Sequence, residues 1–286
     1  ALRWPLNISR DWVRSMKKNY KKRKNTRKTG KNSWLRSRKK NFSAPINALD
    51  RQKLAGTITG EIFQPMRLHY KVSNSEDFLT CLTKLKCIDH DSQKNRWVWL
   101  YLGESLSLDF AQGIDENNPI ILGEFIRKES TKIVLNVRSF ERGSQAIEFF
   151  DQYIPRKSAK LTHVTICNKL FPIKQAFSIK SLDRYFEQTE TLVRNPEKIT
   201  QDILELTSGI DSQQERSEVA SQYIDKLKNE PILELEQFPV YFYEEGIEQV
   251  KMQLNFCKAV AYQHWLGNTN YTTMDAIHDA LSGQKM

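Results

Sequence analysis

The sequence predicts an α+β protein in three parts: a basic arm over residues 1–45, a two-layer sheet–helix domain over 46–172 and a helical domain over 173–286. Three observations predict it. Charge is segregated, because residues 1–45 carry sixteen Lys and Arg against one acid, Asp11, while the remainder carries 28 against 33. From Gln64 to Phe171 apolar residues mostly alternate at period two, with two interruptions at helical spacing. From Ile173 onward the spacing is helical, punctuated by Pro196 and Pro231.

The arm begins with a helix signal. Ser9 is a cap residue, and Asp11 in the first turn answers the positive helix end. Trp12, Met16 and Tyr20 follow four apart, with Val13 beside them, as a narrow apolar stripe. Arg10, Arg14, Lys17, Lys18, Lys21 and Lys22 take the other faces. Past Asn25 the run NTRKTGKNS has turn residues and no apolar period. Trp34 and Leu35 then interrupt the charge before Arg36, Arg38, Lys39 and Lys40, and Pro45 marks the boundary.

In the central part, Met66–Val72 alternates after Pro65 and reads as a strand. Helix-start residues at Ser73–Ser75 precede Phe78, Leu79, Leu82 and Leu85 at helical spacing, and Asp89–Asn95 reads as a polar turn. Arg96–Leu102 is an aromatic, β-branched strand. Beyond a loop around Gly113–Pro119, Ile120–Arg127 and Lys132–Val137 are two more strands. A short helix from about Gln145 to Ile154 and a strand over Lys160–Cys167 complete the domain. This element order resembles a split βαβ, ferredoxin-like sandwich with an added hairpin edge, a likeness that carries no function by itself.

In the last part Ser181–Val193, Pro196–Leu206 and Gln213–Lys228 read as helices. Pro231–Tyr243 is ambiguous, with short extended pieces. Glu244–Leu266 is the clearest helix, and a last one runs from Thr273 to Leu281.

Composition excludes several classes. Mean hydropathy is −0.60, and no stretch approaches the roughly 20 apolar residues a membrane span needs. No apolar region suited to a secretory signal follows the early basic residues. Cys81, Cys87, Cys167 and Cys257 are scattered without Cys-x-x-Cys spacing, so reduced thiols and a cytoplasmic or nucleoid setting are expected. No cofactor motif is present, and GESLSLDFAQG lacks the ending and spacing of a phosphate loop.

Candidate catalytic groups all have ordinary explanations. Asp89, His90 and Asp91 are adjacent residues of a turn, and adjacent side chains do not converge on one ion. Glu104, Asp109, Asp115, Glu116 and Glu124 match no carboxylate signature. His163 and Cys167 share a strand face, and Cys257 and His264 share a helix face, both read as core contacts.

The function expected is nucleic-acid binding, to DNA or RNA. A block of net +15 stays open unless a polyanion neutralises it. Arg23, Lys24, Arg27, Lys28, Arg36, Arg38, Lys39 and Lys40 are the phosphate contacts, supported by the helical Arg10, Arg14, Lys17, Lys18, Lys21 and Lys22. Trp12, Tyr20 and Trp34 are the candidate stackers or wedges. A sheet flank with Arg127, Lys128, Lys132, Arg138, Arg142, Arg156, Lys157 and Lys160 would extend this surface. The mildly acidic body is left to a protein partner. The alternatives are a metal-dependent nuclease or strand-transfer enzyme, and a structural subunit of a ribonucleoprotein assembly.

Overall fold

The computed structural model describes residues 54–110, 120–228 and 232–282. All readings of the arm, the boundary at Pro45 and the loop around Gly113–Pro119 lie outside the described residues. The described residues divide into two compact units, one within residues 54–194 and 232–282 and the other within residues 195–228.

The larger unit is built on one eight-stranded, mostly antiparallel sheet. Its strands are β1 (Met66–Val72), β2 (Ile88–Asp91), β3 (Arg96–Leu100), β4 (Ile121–Glu129), β5 (Lys132–Val137), β6 (Ala159–Cys167), β7 (Thr191–Val193) and β8 (Leu235–Pro239). They lie in the order β2-β3-β4-β5-β1-β6-β8-β7. Every neighbouring pair is antiparallel except β7 and β8. The helices of this unit are α1 (Ser75–Lys84), α2 (Phe140–Tyr153), α3 (Ile173–Ser178), α4 (Leu182–Gln188), α7 (Phe242–Glu245), α8 (Ile247–Trp265) and α9 (Thr273–Ser282).

Period-two alternation sets the two faces of the sheet. Met66, Leu68, Tyr70 and Val72 of β1 are buried on one face. They lie in register with Val137, Leu135 and Ile133 of β5, and with Ile166, Val164 and Leu161 of β6. Trp97 and Trp99 of β3 and Phe125 of β4 continue this face. Phe78 and Leu82 from α1, Ile147 and Phe150 from α2, and Val250 and Leu254 from α8 belong to the same core. Trp99, Phe149, Phe150 and Phe125 form a chain of aromatic contacts with centroids 4.8–5.7 Å apart, mostly edge to face. Helix α2 lies hard against β1 because residue 143 is glycine: a Cβ there would stand 2.3 Å from the Met66 Sδ.

Side-chain caps fix where the helices begin. Asn74 accepts from the Asp77 amide to start α1, and Ser139 accepts from the Arg142 amide to start α2. Helix α2 therefore begins five residues earlier than the Gln145 start expected, in spite of Gly143. Three other readings are corrected. Of Asp89–Asn95, read as a polar turn, only the residues after Asp91 form the turn, and Asp89–Asp91 belongs instead to the edge strand β2. Its low-propensity Asp-His-Asp is held by pairing with β3 and by His90 stacking on Trp97, with centroids 4.8 Å apart. Ser181–Val193 is not one helix: α4 ends at Gln188, and Thr191–Val193 is a strand parallel to β8. Within the ambiguous Pro231–Tyr243, one of the short extended pieces expected there is present and needs no correction: Leu235–Pro239 is a strand paired with β6. The helix read over Glu244–Leu266 breaks at Gly246, whose φ of +84° favours glycine.

The smaller unit is described over residues 195–228 as the helices α5 (Pro196–Thr207) and α6 (Gln213–Lys228). Asn195 caps α5 by accepting from the Glu197 and Lys198 amides. The Tyr223 hydroxyl donates to Asp202 at 2.5 Å between the two helices.

Candidate functional site

The second face of the sheet is made from the residues that alternate with the core. In β1 these are Arg67, His69 and Lys71, in β5 Lys132, Val134 and Asn136, and in β6 Lys160, His163 and Thr165. Register aligns them in three cross-strand rows. One row runs Asn136–Arg67–Thr165 and continues to Gln237 of β8. The next is Val134–His69–His163, and the last is Lys132–Lys71–Lys160.

The first row is satisfied within the fold. The Arg67 Nε donates to Asn136 Oδ1 at 2.8 Å, and its guanidinium pairs with Asp183 of α4 at 2.7 Å. Lys128 also pairs with Asp183 and with Glu187. The Arg67 guanidinium lies 4.7 Å from the centroid of the Phe186 ring. These contacts hold α4 on this face of the sheet. Burial lowers the Arg67 pKa, and Asp183 and Glu187 oppose that shift. Asn136 keeps one buried amide nitrogen without a hydrogen-bond partner among the described residues.

The second row has a defined hydrogen-bond direction. Thr165 donates to Gln237 Oε1 at 3.3 Å, so its oxygen accepts from His69 Nε2 at 2.8 Å. Burial, with the positive charge of Arg67 and the neighbouring His163, lowers the His69 pKa to about 3. His69 is neutral near pH 7 and its proton sits on Nε2. Burial lowers the His163 pKa as well.

The third row is open. Lys71, Lys132 and Lys160 are all exposed. Lys132 pairs with Glu129 at 2.8 Å, and both side chains are more than half exposed. Lys160 Nζ lies 6.0 Å from the Tyr243 ring centroid. Lys71 has no ion-pair partner among the described residues.

The expected basic flank is thus divided. Lys132 and Lys160 come together, with Lys71 between them, which sequence reading missed. Arg142 is not on the surface at all: it is 1% exposed. Its Nε pairs with Glu61 at 3.2 Å, and the rest of the guanidinium donates to the Ile121 and Leu122 carbonyls and to Thr59. Burial raises the Glu61 pKa, but Arg142 and the Thr57 and Thr59 hydroxyls outweigh it, leaving the pKa below 4.5. Lys128 is engaged by α4, and Arg156 pairs with Asp151 at 2.6 Å. Arg127, Arg138 and Lys157 are exposed. The arm residues Arg10, Arg14, Lys17, Lys18, Lys21, Lys22, Arg23, Lys24, Arg27, Lys28, Arg36, Arg38, Lys39 and Lys40, with Trp12, Tyr20 and Trp34, lie outside the described residues.

The catalytic candidates are dispersed. Asp91 and Glu124 both pair with Arg96, at 3.0 and 2.6 Å. Glu104 accepts from the Cys87 amide at 3.1 Å. Asp115 and Glu116 lie outside the described residues. Among the described residues no group of three or more His, Cys, Asp and Glu is placed to hold a metal ion. His163 and Cys167 do share a face, but only Cys167 packs in a hydrophobic cluster, with Phe171, Phe186 and Leu235. Its thiol meets the Tyr185 hydroxyl at 3.1 Å, and Tyr185 donates to Glu234 at 2.7 Å. Burial pushes the thiol pKa up to about 11, so it is a poor nucleophile at neutral pH. Cys257 packs against the main core, and His264 Nε2 meets the Tyr271 carbonyl at 2.8 Å. No helix among the described residues is long and apolar enough to cross a membrane.

No protein-family description, no curated protein and no solved structure matches this chain.

Proposed function

We propose that this chain is a nucleic-acid-binding protein. Its basic arm holds the phosphate backbone, and its α+β body is the platform that the arm extends. One observation carries the reading: net +15 over residues 1–45 against a net −5 over residues 46–286. Sixteen positive charges against one acid in so short a segment repel one another, and a polyanion relieves that repulsion while releasing its own counterions. Arg23, Lys24, Arg27, Lys28, Arg36, Arg38, Lys39 and Lys40 are the main phosphate contacts, with Trp12, Tyr20 and Trp34 stacking on bases or entering a groove. The body reads as a ferredoxin-like sandwich. The antiparallel order β6-β1-β5-β4, with α1 and α2 in the two crossovers, supports that reading, and β2 and β3 are the added hairpin edge.

Binding of the full chain to labelled single- and double-stranded DNA and RNA, measured against salt, tests the proposal. With six to ten phosphates neutralised, affinity falls by roughly 10³–10⁵ between about 50 and 200 mM salt. Replacing the eight main contacts by glutamine removes most of that dependence. Absence of binding at low salt, or binding that ignores salt, overturns the reading.

A further inference from the structure

We propose that the row Lys132–Lys71–Lys160 is a second phosphate contact, on which the sheet itself receives the sugar–phosphate backbone of the nucleic acid held by the arm. This rests on the function proposed above and assigns that function a site within the folded body.

Register is the first ground. Lys71 lies opposite Lys132 on one side and Lys160 on the other, all three on the face opposite the core. Adjacent strands are about 4.8 Å apart, so three ammonium-bearing chains leave the sheet within roughly 10 Å. Like charges directly opposite one another destabilise a sheet. Asp183 and Glu187, which α4 brings to this face, are taken up by Arg67 and Lys128. Glu129 reaches Lys132 only as an exposed pair, which contributes little. The row therefore keeps uncompensated positive charge.

The surroundings select the ligand. The adjoining row offers His69 and His163, imidazoles rather than an apolar face, and Val134 between the strands is buried. A lipid surface needs apolar side chains to enter it, and this row has none. No exposed aromatic ring stands in the row to stack a base, so the contact is to phosphate and carries no sequence preference. The row is also placed on rigid elements, since β1 and its two neighbours are the middle of the sheet.

The test uses the full chain with Lys71, Lys132 and Lys160 replaced by glutamine. A control carries the same substitutions at Lys84, Lys86 and Lys94, which are exposed elsewhere. Loss of three phosphate contacts lowers the slope of log affinity against log salt by about 2–3. That loss, carried over one decade of salt, is a roughly 10²–10³-fold weaker affinity near 0.1 M. The control keeps the parent slope, and a variant with arginine at the three positions keeps it too. A row variant that folds and binds like the control overturns this site while leaving the arm's function intact. A parent chain that binds no nucleic acid overturns both. Should the glutamine variant unfold, the arginine variant and single Lys71→Gln, Lys132→Gln and Lys160→Gln chains decide the question, each expected to lower the slope by about 1 or not at all.

Discussion

On one face of the sheet, Met66, Leu68 and Tyr70 of β1 lie among Phe78, Phe125 and Phe150 with almost no exposed surface. On the other face the intervening Arg67, His69 and Lys71 of the same strand pass from a buried ion pair, through a hydrogen-bonded imidazole, to open solvent. The first face is held by non-directional burial and the second by a few directed polar contacts. Burial scales with area, so the apolar face carries the stability. The polar face gives up stability for a graded surface, closed by α4 at one end and charged at the other. A sheet alternating at period two presents both from one stretch of sequence.

The largest expected effect is on the apolar face. Phe125 touches Tyr70, Phe78 and Phe150, with centroids 4.8–6.1 Å apart. Phe125→Ala leaves a cavity among rigid rings and costs about 3–5 kcal/mol, read from chemical unfolding. A loss below about 1 kcal/mol breaks the contrast, because the core would then lie elsewhere.

The next effect belongs to the polar face and depends on pH. The folded state holds the His69 pKa at about 3 against an ordinary 6.5. Below about pH 6.5 the unfolded chain takes up a proton that the folded chain refuses, so the unfolded state binds more protons and stability falls with acidity. The loss is about 1.4 kcal/mol per pH unit, or about 2 kcal/mol by pH 5, and there is none above about pH 7. His163, lowered in the same direction, adds to it. Glu61 contributes separately: its stabilisation is present above about 4.5 and is lost as the pH falls through its lowered value. Unfolding of the parent and of His69→Gln between about pH 7 and 5 isolates the imidazole. Parallel pH profiles would show that His69 titrates freely.

A smaller effect tests the hydrogen-bond chain. Thr165→Val keeps the shape but removes the oxygen that accepts from His69 and the hydroxyl that donates to Gln237. The expected cost is about 1–2 kcal/mol at neutral pH, with a His69 pKa that moves in NMR titration. An unchanged imidazole signal would show that the chain does not orient the ring.

Much of the apolar face was legible in sequence, and little of the polar one. The strands β1, β5 and β6 stand out because Met66–Val72, Lys132–Val137 and Ala159–Cys167 alternate branched or aromatic residues with polar ones. Helix α6 and the end of α2 follow from spacing in the same way. Strand β2 was not legible, since Asp89, His90 and Asp91 favour turns and only the partner strand β3 makes them extended. Strand β7 was hidden within a segment read as helix, and β8 was left open as an extended piece of Pro231–Tyr243, because short segments near prolines fit a helix or a strand equally well and only pairing decides. Lys132 and Lys160 drew notice as charges, yet Lys71 did not, because the row exists only in the register of strands remote in sequence. Arg142 looked like a surface charge by type, but its carbonyl and carboxylate partners come from residues 59–61 and 121–122, which no local pattern connects to it. The charge of the arm was plain in sequence, and its placement lies outside the described residues.

The smallest effect probes the open end of the polar face with no ligand added. Lys71 faces two lysines across neighbouring strands, an arrangement that costs rather than contributes. Lys71→Gln removes the middle charge and both repulsions while keeping a long polar side chain on the strand. The variant should be more stable than the parent by about 0.2–1 kcal/mol at low ionic strength. The gain should vanish as salt rises, because at about 1 M the screening length shrinks to about 3 Å, less than the spacing between strands. Thermal unfolding of both chains at low and high salt gives the comparison directly. A gain that survives high salt would come from packing or strand propensity instead of charge. A loss of stability at low salt would mean that Lys71 is compensated by an acid of this chain, and the row would then be a structural ion network instead of a surface awaiting an anion.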